Sequence, residues 1–138
     1  MASNECIPYW DNGDTITCYA QTAVIGKRFV SVTGARQSGT VGTSAVGPQP
    51  TVNLTGAGLG SCIGVAAYDA AAGQSVTVFH EPSIILPVTA GASITAGQLV
   101  QSDATGRAIP FSAGKILGLA LDTVTVGQDC AIDRSIVI

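Results

Sequence analysis

The chain has 138 residues, of which 46% are hydrophobic and only 11% charged, and a formal net charge of −3, so it has the size of one domain and no room for a second, catalytic one. No Lys or Arg falls between Arg36 and Arg107, which removes the basic footprint that direct nucleic-acid binding requires. No stretch approaches the roughly 18 consecutive apolar residues of a membrane helix, and Met1-Ala2-Ser3-Asn4-Glu5 lacks the basic and then apolar pattern of a secretory signal; a protein made and used without export or membrane contact is expected.

The first residues differ in character from the rest. Cys6-Ile7-Pro8-Tyr9-Trp10 sets the only Trp beside Tyr and Pro, ahead of the turn residues Asp11-Asn12-Gly13-Asp14. This reads as an arm over residues 1–14 that anchors the chain to a partner surface or an adjoining subunit, with Ile7, Tyr9 and Trp10 as the anchors. The competing reading has Tyr9 and Trp10 capping the protein's own barrel.

From residue 15 onward apolar residues recur at alternate positions or in short runs, as in Thr15-Ile16-Thr17-Cys18-Tyr19 and Arg28-Phe29-Val30-Ser31-Val32. That is the period of a half-buried strand, and helical periodicity is scarce. Residues 37–68 contain no Asp, Glu, Lys or Arg and are rich in Gly, Ser, Thr and Val. A partner could cover such a segment without desolvating a charge; a flexible Gly/Ser/Thr loop over residues 37–50 is the alternative. Further strands are expected at residues 50–54, 63–67, 75–80, 84–88, 98–102, 107–110, 115–121, 129–132 and 135–138, with Asp103-Ala104-Thr105-Gly106 as a hairpin turn. Many short strands and tight turns predict an all-β fold, a small barrel or sandwich.

An internal repeat runs through the second part of the chain. Gly64-Val65-Ala66 and Gly73-Gln74 recur as Gly118-Leu119-Ala120 and Gly127-Gln128 at one offset (118 − 64 = 54; 127 − 73 = 54), and Gly97-Gln98-Leu99-Val100 repeats the strand-opening element. Gly64 and Gly118 are therefore expected at equivalent backbone positions in two related hairpins.

The residue inventory argues against chemistry. His80 is the only histidine, and Cys6, Cys18, Cys62 and Cys130 form no C-x-x-C pair, so no metal or other cofactor is expected. The cysteines read as reduced core thiols, with a disulfide left open in an extracellular particle. Gly60-Ser61-Cys62-Ile63-Gly64 fits a nucleophile elbow with His80 as base, but Val65-Ala66-Ala67-Tyr68 does not read as the helix that must follow. Gly56-Ala57-Gly58-Leu59-Gly60 reads as a strand connection, Lys115 as a solvent-facing strand-end lysine, and Asn53-Leu54-Thr55 as a coincidental glycosylation triplet. No enzyme is expected.

Taken in order, Asn4-Glu5-Cys6-Ile7-Pro8-Tyr9, Gly26-Lys27-Arg28-Phe29-Val30, Gly64-Val65-Ala66-Ala67-Tyr68-Asp69-Ala70-Ala71-Ala72-Gly73, Val88-Thr89-Ala90-Gly91-Ala92-Ser93-Ile94-Thr95-Ala96-Gly97-Gln98, Gly106-Arg107-Ala108-Ile109-Pro110 and Gly118-Leu119-Ala120-Leu121 resemble the head decoration (capsid-stabilising, minor capsid) proteins of tailed phages. The resemblance implies a compact β-barrel or β-tulip-like domain over residues 15–138 carrying an N-terminal arm. It also implies the major capsid protein as partner, a homo-oligomer, most often a trimer at local threefold positions, and a place on the outer capsid surface after assembly in the host cytoplasm. It brings no catalytic residues. Ile84-Ile85-Leu86 is more apolar than the family pattern leads one to expect. A tail- or fibre-type β-module for host-surface binding is the alternative, which the 5% aromatic content disfavours.

Overall fold

The computed structural model describes residues 4–9, 15–41, 44–57, 61–80 and 85–135. Ten strands and no helix are found among them. Strands β1 (Thr15–Ala20), β2 (Phe29–Val41), β3 (Ser44–Leu54), β4 (Cys62–Ala66) and β5 (Ser75–Phe79) form a closed barrel in the order β1-β3-β2-β4-β5. Alternation along these strands sends Cys18, Ala20, Val30, Val52, Val76 and Val78 inward, all with no exposed surface. Each such valine stabilises the barrel by about 1.5–3 kcal/mol relative to exposure.

Strands β6 (Ile85–Thr89), β7 (Leu99–Ser102), β8 (Ala108–Pro110), β9 (Gly118–Ala120) and β10 (Asp129–Asp133) form a second sheet in the order β6-β10-β9-β7-β8. Its two ends meet in a single parallel bridge, Ala90↔Ala108. Leu86 and Val88 of β6 are fully buried, which explains the described part of the apolar run: residues 86–88 pack into the core, while residue 84 lies outside the described residues.

The two sheets are copies of one unit. The five register pairs of β1 with β5, from Thr15↔Phe79 to Tyr19↔Ser75, reappear between β6 and β10 as Ile85↔Asp133 to Thr89↔Asp129. The first partner of each pair is displaced by 70 residues and the second by 54 (85 − 15 = 70; 133 − 79 = 54). Val65↔Phe79 and Ala66↔Val78 likewise become Leu119↔Asp133 and Ala120↔Ile132. The 54-residue repeat seen in the sequence is thus one half of a complete duplication. Each copy buries one thiol in the same strand pair, on opposite strands: Cys18 faces Val76 in the first and Cys130 faces Val88 in the second.

Local chemistry repeats as well. Gly73, Gly97 and Gly127 all take positive φ (+86°, +92° and +85°) at the third position of a turn, a conformation that costs glycine little. In each turn the following glutamine closes it twice. The N–H of Gln74, Gln98 and Gln128 donates to the carbonyl of Ala71, Thr95 and Thr125 (3.1, 3.1 and 3.2 Å), and the glutamine Oε1 accepts the N–H of that same residue (3.1, 2.7 and 2.9 Å). Lys27 stands where Gly97 stands in the second copy and is itself left-handed, with φ 61°.

Lys27 is also part of the seam between the copies. Its carbonyl accepts the Thr89 N–H at 2.9 Å and its ammonium meets Asp129 at 2.8 Å. Beside it Phe29 N–H donates to the Gly106 carbonyl (2.8 Å) and Ser102 Oγ to the Thr55 carbonyl (3.2 Å). Phe29, Val65 and Phe79 of the first barrel join Leu86, Ile94, Val100 and Ile132 of the second in one apolar cluster. Arg134, buried at 3% exposure, closes this cluster with its guanidinium 5.6 Å from the Phe29 ring centroid and one N–H on the Leu117 carbonyl at 2.7 Å.

Several expectations are adjusted. The described residues of 37–50 are not a flexible loop: β2 and β3 run through 37–41 and 44–50 as a paired ribbon, Gln37↔Gln49 and Ser38↔Pro48 among the partners. Strand β9 is confined to Gly118–Ala120, and Lys115 lies half-buried before it rather than at a strand end. The strand expected at residues 135–138 falls almost wholly outside the described residues.

Candidate functional site

Two features stand outside the duplicated barrels: the N-terminal strip and the β2–β3 ribbon. Residues 4–9 lie across both copies. Asn4 donates its side-chain amide to both oxygens of Asp69 (3.0 and 3.1 Å), and Cys6 N–H donates to the Ala67 carbonyl at 2.6 Å on the first barrel. Cys6 Sγ then donates to the Pro87 carbonyl at 3.5 Å, and Tyr9 N–H to the Ile85 carbonyl at 2.7 Å, both on the second. Gly26 is required beneath the strip, because a Cβ there would collide with the Asn4 carbonyl and come within 2.8 Å of Tyr68 Cα.

The strip alternates. Cys6 is buried at 4% exposure, whereas Ile7 and Tyr9 are 68% and 55% exposed, the two largest exposures among the big apolar residues described apart from Val126 at 58%. Of the three anchors expected from sequence, the fold therefore brings Ile7 and Tyr9 to the surface side by side and leaves Tyr9 uncapped; Trp10 lies outside the described residues. Sequence reasoning missed Cys6, Asn4 and Asp69 as fasteners. The available signal was the alternation of Cys6-Ile7-Pro8-Tyr9, which sets Cys6 on the face opposite Ile7 and Tyr9.

The ribbon exists in one copy only. Nineteen residues (33–51) separate the paired Val32 and Val52, while five (103–107) separate the equivalent pair Ser102 and Ala108. Residues 32–38 are all exposed. The ribbon then settles back on the first barrel at Gly39, whose absent side chain admits Tyr19, Ser75 Oγ and Gln49 Oε1. Ser75 Oγ donates to that Gln49 oxygen at 2.8 Å, and Thr40 Oγ1 to the Gly73 carbonyl at 3.5 Å. Three register shifts interrupt the pairing of β2 with β3, and Pro48 and Pro50 remove donors from β3.

The groups weighed for chemistry are placed as follows. Cys62 opens strand β4 rather than a helix, and its thiol points to the Gly64 carbonyl at 3.6 Å. His80 Nδ1 is buried with no hydrogen-bond partner among the described residues. No group of three His, Cys, Asp or Glu residues that could hold a metal is found among the described residues. Burial pushes the thiols of Cys18 and Cys130 up to about 11, which keeps them protonated and poor nucleophiles at neutral pH. Burial likewise pulls the Arg134 pKa down, opposed by neighbouring Cys62. Partial burial alone would raise Asp103, but the N–H groups of Thr105 and Arg107 and the Arg107 guanidinium at 2.9 Å outweigh it and hold the carboxyl below its usual range.

A family model described as phage cement protein matches residues 10–135. No curated protein sequence matches the chain. Among solved structures, the head fibre gp8.5 N base of bacteriophage phi29 superposes with a TM-score of 0.63, covering 91% of this chain and 92% of that one at 19% sequence identity; at that identity the likeness concerns the fold.

Proposed function

We propose that this chain, which belongs to the phage cement protein family, binds the outer surface of a phage capsid and stabilises it by bridging neighbouring major capsid subunits, without catalysing a reaction. The observation that carries the docking side of this reading is the strip at residues 4–9. It presents Ile7 and Tyr9 to solvent while hydrogen bonds from the side chains of Asn4 and Cys6 and the backbone N–H groups of Cys6 and Tyr9 hold it to both barrels. Such a strip loses little further backbone freedom on binding, so apolar contacts made by Ile7, Tyr9 and the adjoining Trp10 translate efficiently into affinity. Residues 1–14 then serve as the arm and residues 15–138 as one decoration domain in which two barrels share a core. A homotrimer suits the task because several modest interfaces around a symmetric oligomer add their contributions. The virion surface is the site of action.

Purified protein mixed with undecorated expanded capsids should sediment with them in a saturable way, and a cryo-EM map of the source virion should carry its density outside the shell. Density confined to tail or fibre would overturn the reading. The likeness to a head fibre base favours a second possibility, that the chain seats a longer projection on the head; density continuing outward beyond one domain would favour it.

A further inference from the structure

We propose that the described part of the β2–β3 ribbon, residues 33–41 and 44–51, is the surface through which copies of this chain associate with one another; the inference rests on the oligomeric part of the reading above. The first ground is internal. The second copy of the barrel joins the equivalent strands with residues 103–107 alone, so the ribbon is an addition that the barrel architecture does not need.

The second ground is charge. In a closed symmetric oligomer, a residue near the axis faces its own copies, so every charge placed there meets a like charge. Residues 37–68 are free of Asp, Glu, Lys and Arg, in a chain whose other segments carry all 15 charged residues. Arg36 is the ribbon's sole charge and sits where β2 leaves the barrel, at the near end. A surface meant for an acidic or basic partner would carry the opposite sign, and this one carries almost none.

The third ground is shape. Gly39, Thr40 and Gln49 fasten the ribbon to β1 and β5, so it is held in place before any partner arrives. The register shifts in β2 and the prolines of β3 break the continuous edge that open-ended strand pairing needs. Contact through side chains around an axis, which closes, is what remains.

The test uses the full chain. One variant replaces residues 33–51 with Asp-Ala-Thr-Gly-Arg, the connection of the second copy; another is Ser38→Glu, on an exposed position opposite Pro48. Sedimentation should show the parent as an oligomer, the graft as a monomer with an unchanged β-sheet spectrum, and Ser38→Glu associating at least tenfold more weakly. Should the graft fail to fold, Ser38→Glu decides. A parent that stays monomeric at high concentration, or variants that sediment like an oligomeric parent, overturns the proposal. Capsid co-sedimentation separates the two ideas: a monomeric variant that still saturates capsids leaves capsid binding standing, whereas a parent that never binds capsids overturns that reading and leaves the self-association result as measured.

Discussion

Gly64 and Gly118 occupy the same place in two copies of one barrel, each against the carbonyl of the strand that follows it: Gly64 against Phe79 and Gly118 against Asp133, where a Cβ would come within 2.8 Å. The partners share the 54-residue spacing of the glycines, so one packing constraint has been kept twice. Neither site has φ in the left-handed region, and the requirement is close approach alone. Alanine at either position should destabilise the fold by about 1–3 kcal/mol, as overpacking does. Gly64→Ala should be the worse, because its closest obstacle is the unyielding Phe79 carbonyl, whereas the closest obstacle to Gly118→Ala is a side-chain methyl of Ile132 at 2.5 Å, with the Asp133 carbonyl farther off at 2.8 Å. Denaturant midpoints unchanged for both variants would refute the shared constraint.

The turn glycines make a different demand. A Cβ on Gly97 meets no atom within 4 Å, yet φ is +92°, so Gly97→Ala should cost about 1–2 kcal/mol through backbone strain alone. Gly34 on the ribbon has the same open surroundings without positive φ, and Gly34→Ala should be neutral or stabilise by up to about 1 kcal/mol. Neither site is crowded, so thermal unfolding of the pair isolates the backbone strain; equal effects would contradict this account.

Ile7→Ala and Tyr9→Ala remove exposed side chains and should leave stability within about 0.5 kcal/mol while weakening capsid binding, the stronger of the two by about 2 kcal/mol or more. Trp10→Ala belongs in the same series. Asp69→Ala should act one step earlier, since it removes the acceptor of both Asn4 hydrogen bonds and the oxygen that accepts the Gly26 N–H at 2.9 Å. Unimpaired capsid binding by a chain lacking residues 1–10 would move the docking surface elsewhere.

Asp103 sets an acid limit. Its pKa is lowered in the fold, so its contribution is fully present above the unfolded carboxylate value of about 4 and is lost as pH falls through the lower folded value. Asp103→Asn should therefore cost stability at neutral pH and flatten the pH dependence below about pH 4. A variant whose stability runs parallel to the parent's from pH 7 to pH 2 would show that the carboxylate has no such role.

Cys18 and Cys130 have folded pKa values of about 11, above the unfolded thiol value of about 8.5. The protonated thiols support the fold below that unfolded value, and the support is lost as pH rises through the folded one. At pH 8 neither should react with an aromatic disulfide reagent until the chain unfolds, and both should react in denaturant. Rapid labelling of either in folded protein would contradict the burial described.

Strands and turns were legible because alternation and glycine placement are local signals. The 54-residue offset was legible for the same reason, since close approach demands glycine at both Gly64 and Gly118. Its 70-residue counterpart was not: Cys18, Val24 and Val30 match Val88, Ile94 and Val100 in register and burial rather than in identity, and a barrel interior accepts any small apolar residue there. The ribbon was ambiguous because Gly, Ser and Thr serve a loop or a bulged strand equally well; long-range pairing with β3 decided it. In the strip, Ile7 and Tyr9 were read as anchors, but their outward facing depends on Cys6 being drawn inward between Ala67 and Pro87.

That last contact fixes an order of events in synthesis. Cys6 and Pro87 are 81 positions apart, so the strip, whose contacts to Asp69 and Ala67 need only the first barrel, cannot complete its docking until β6 has been made. Closing so long a loop comes late in folding. The strip is fastened along its length only when the first barrel and β6 are both in place, and a copy lacking either presents Ile7 and Tyr9 on a looser tether. On the proposed role of Ile7 and Tyr9 as capsid contacts, docking of residues 4–9 doubles as an inspection step that unfinished copies fail.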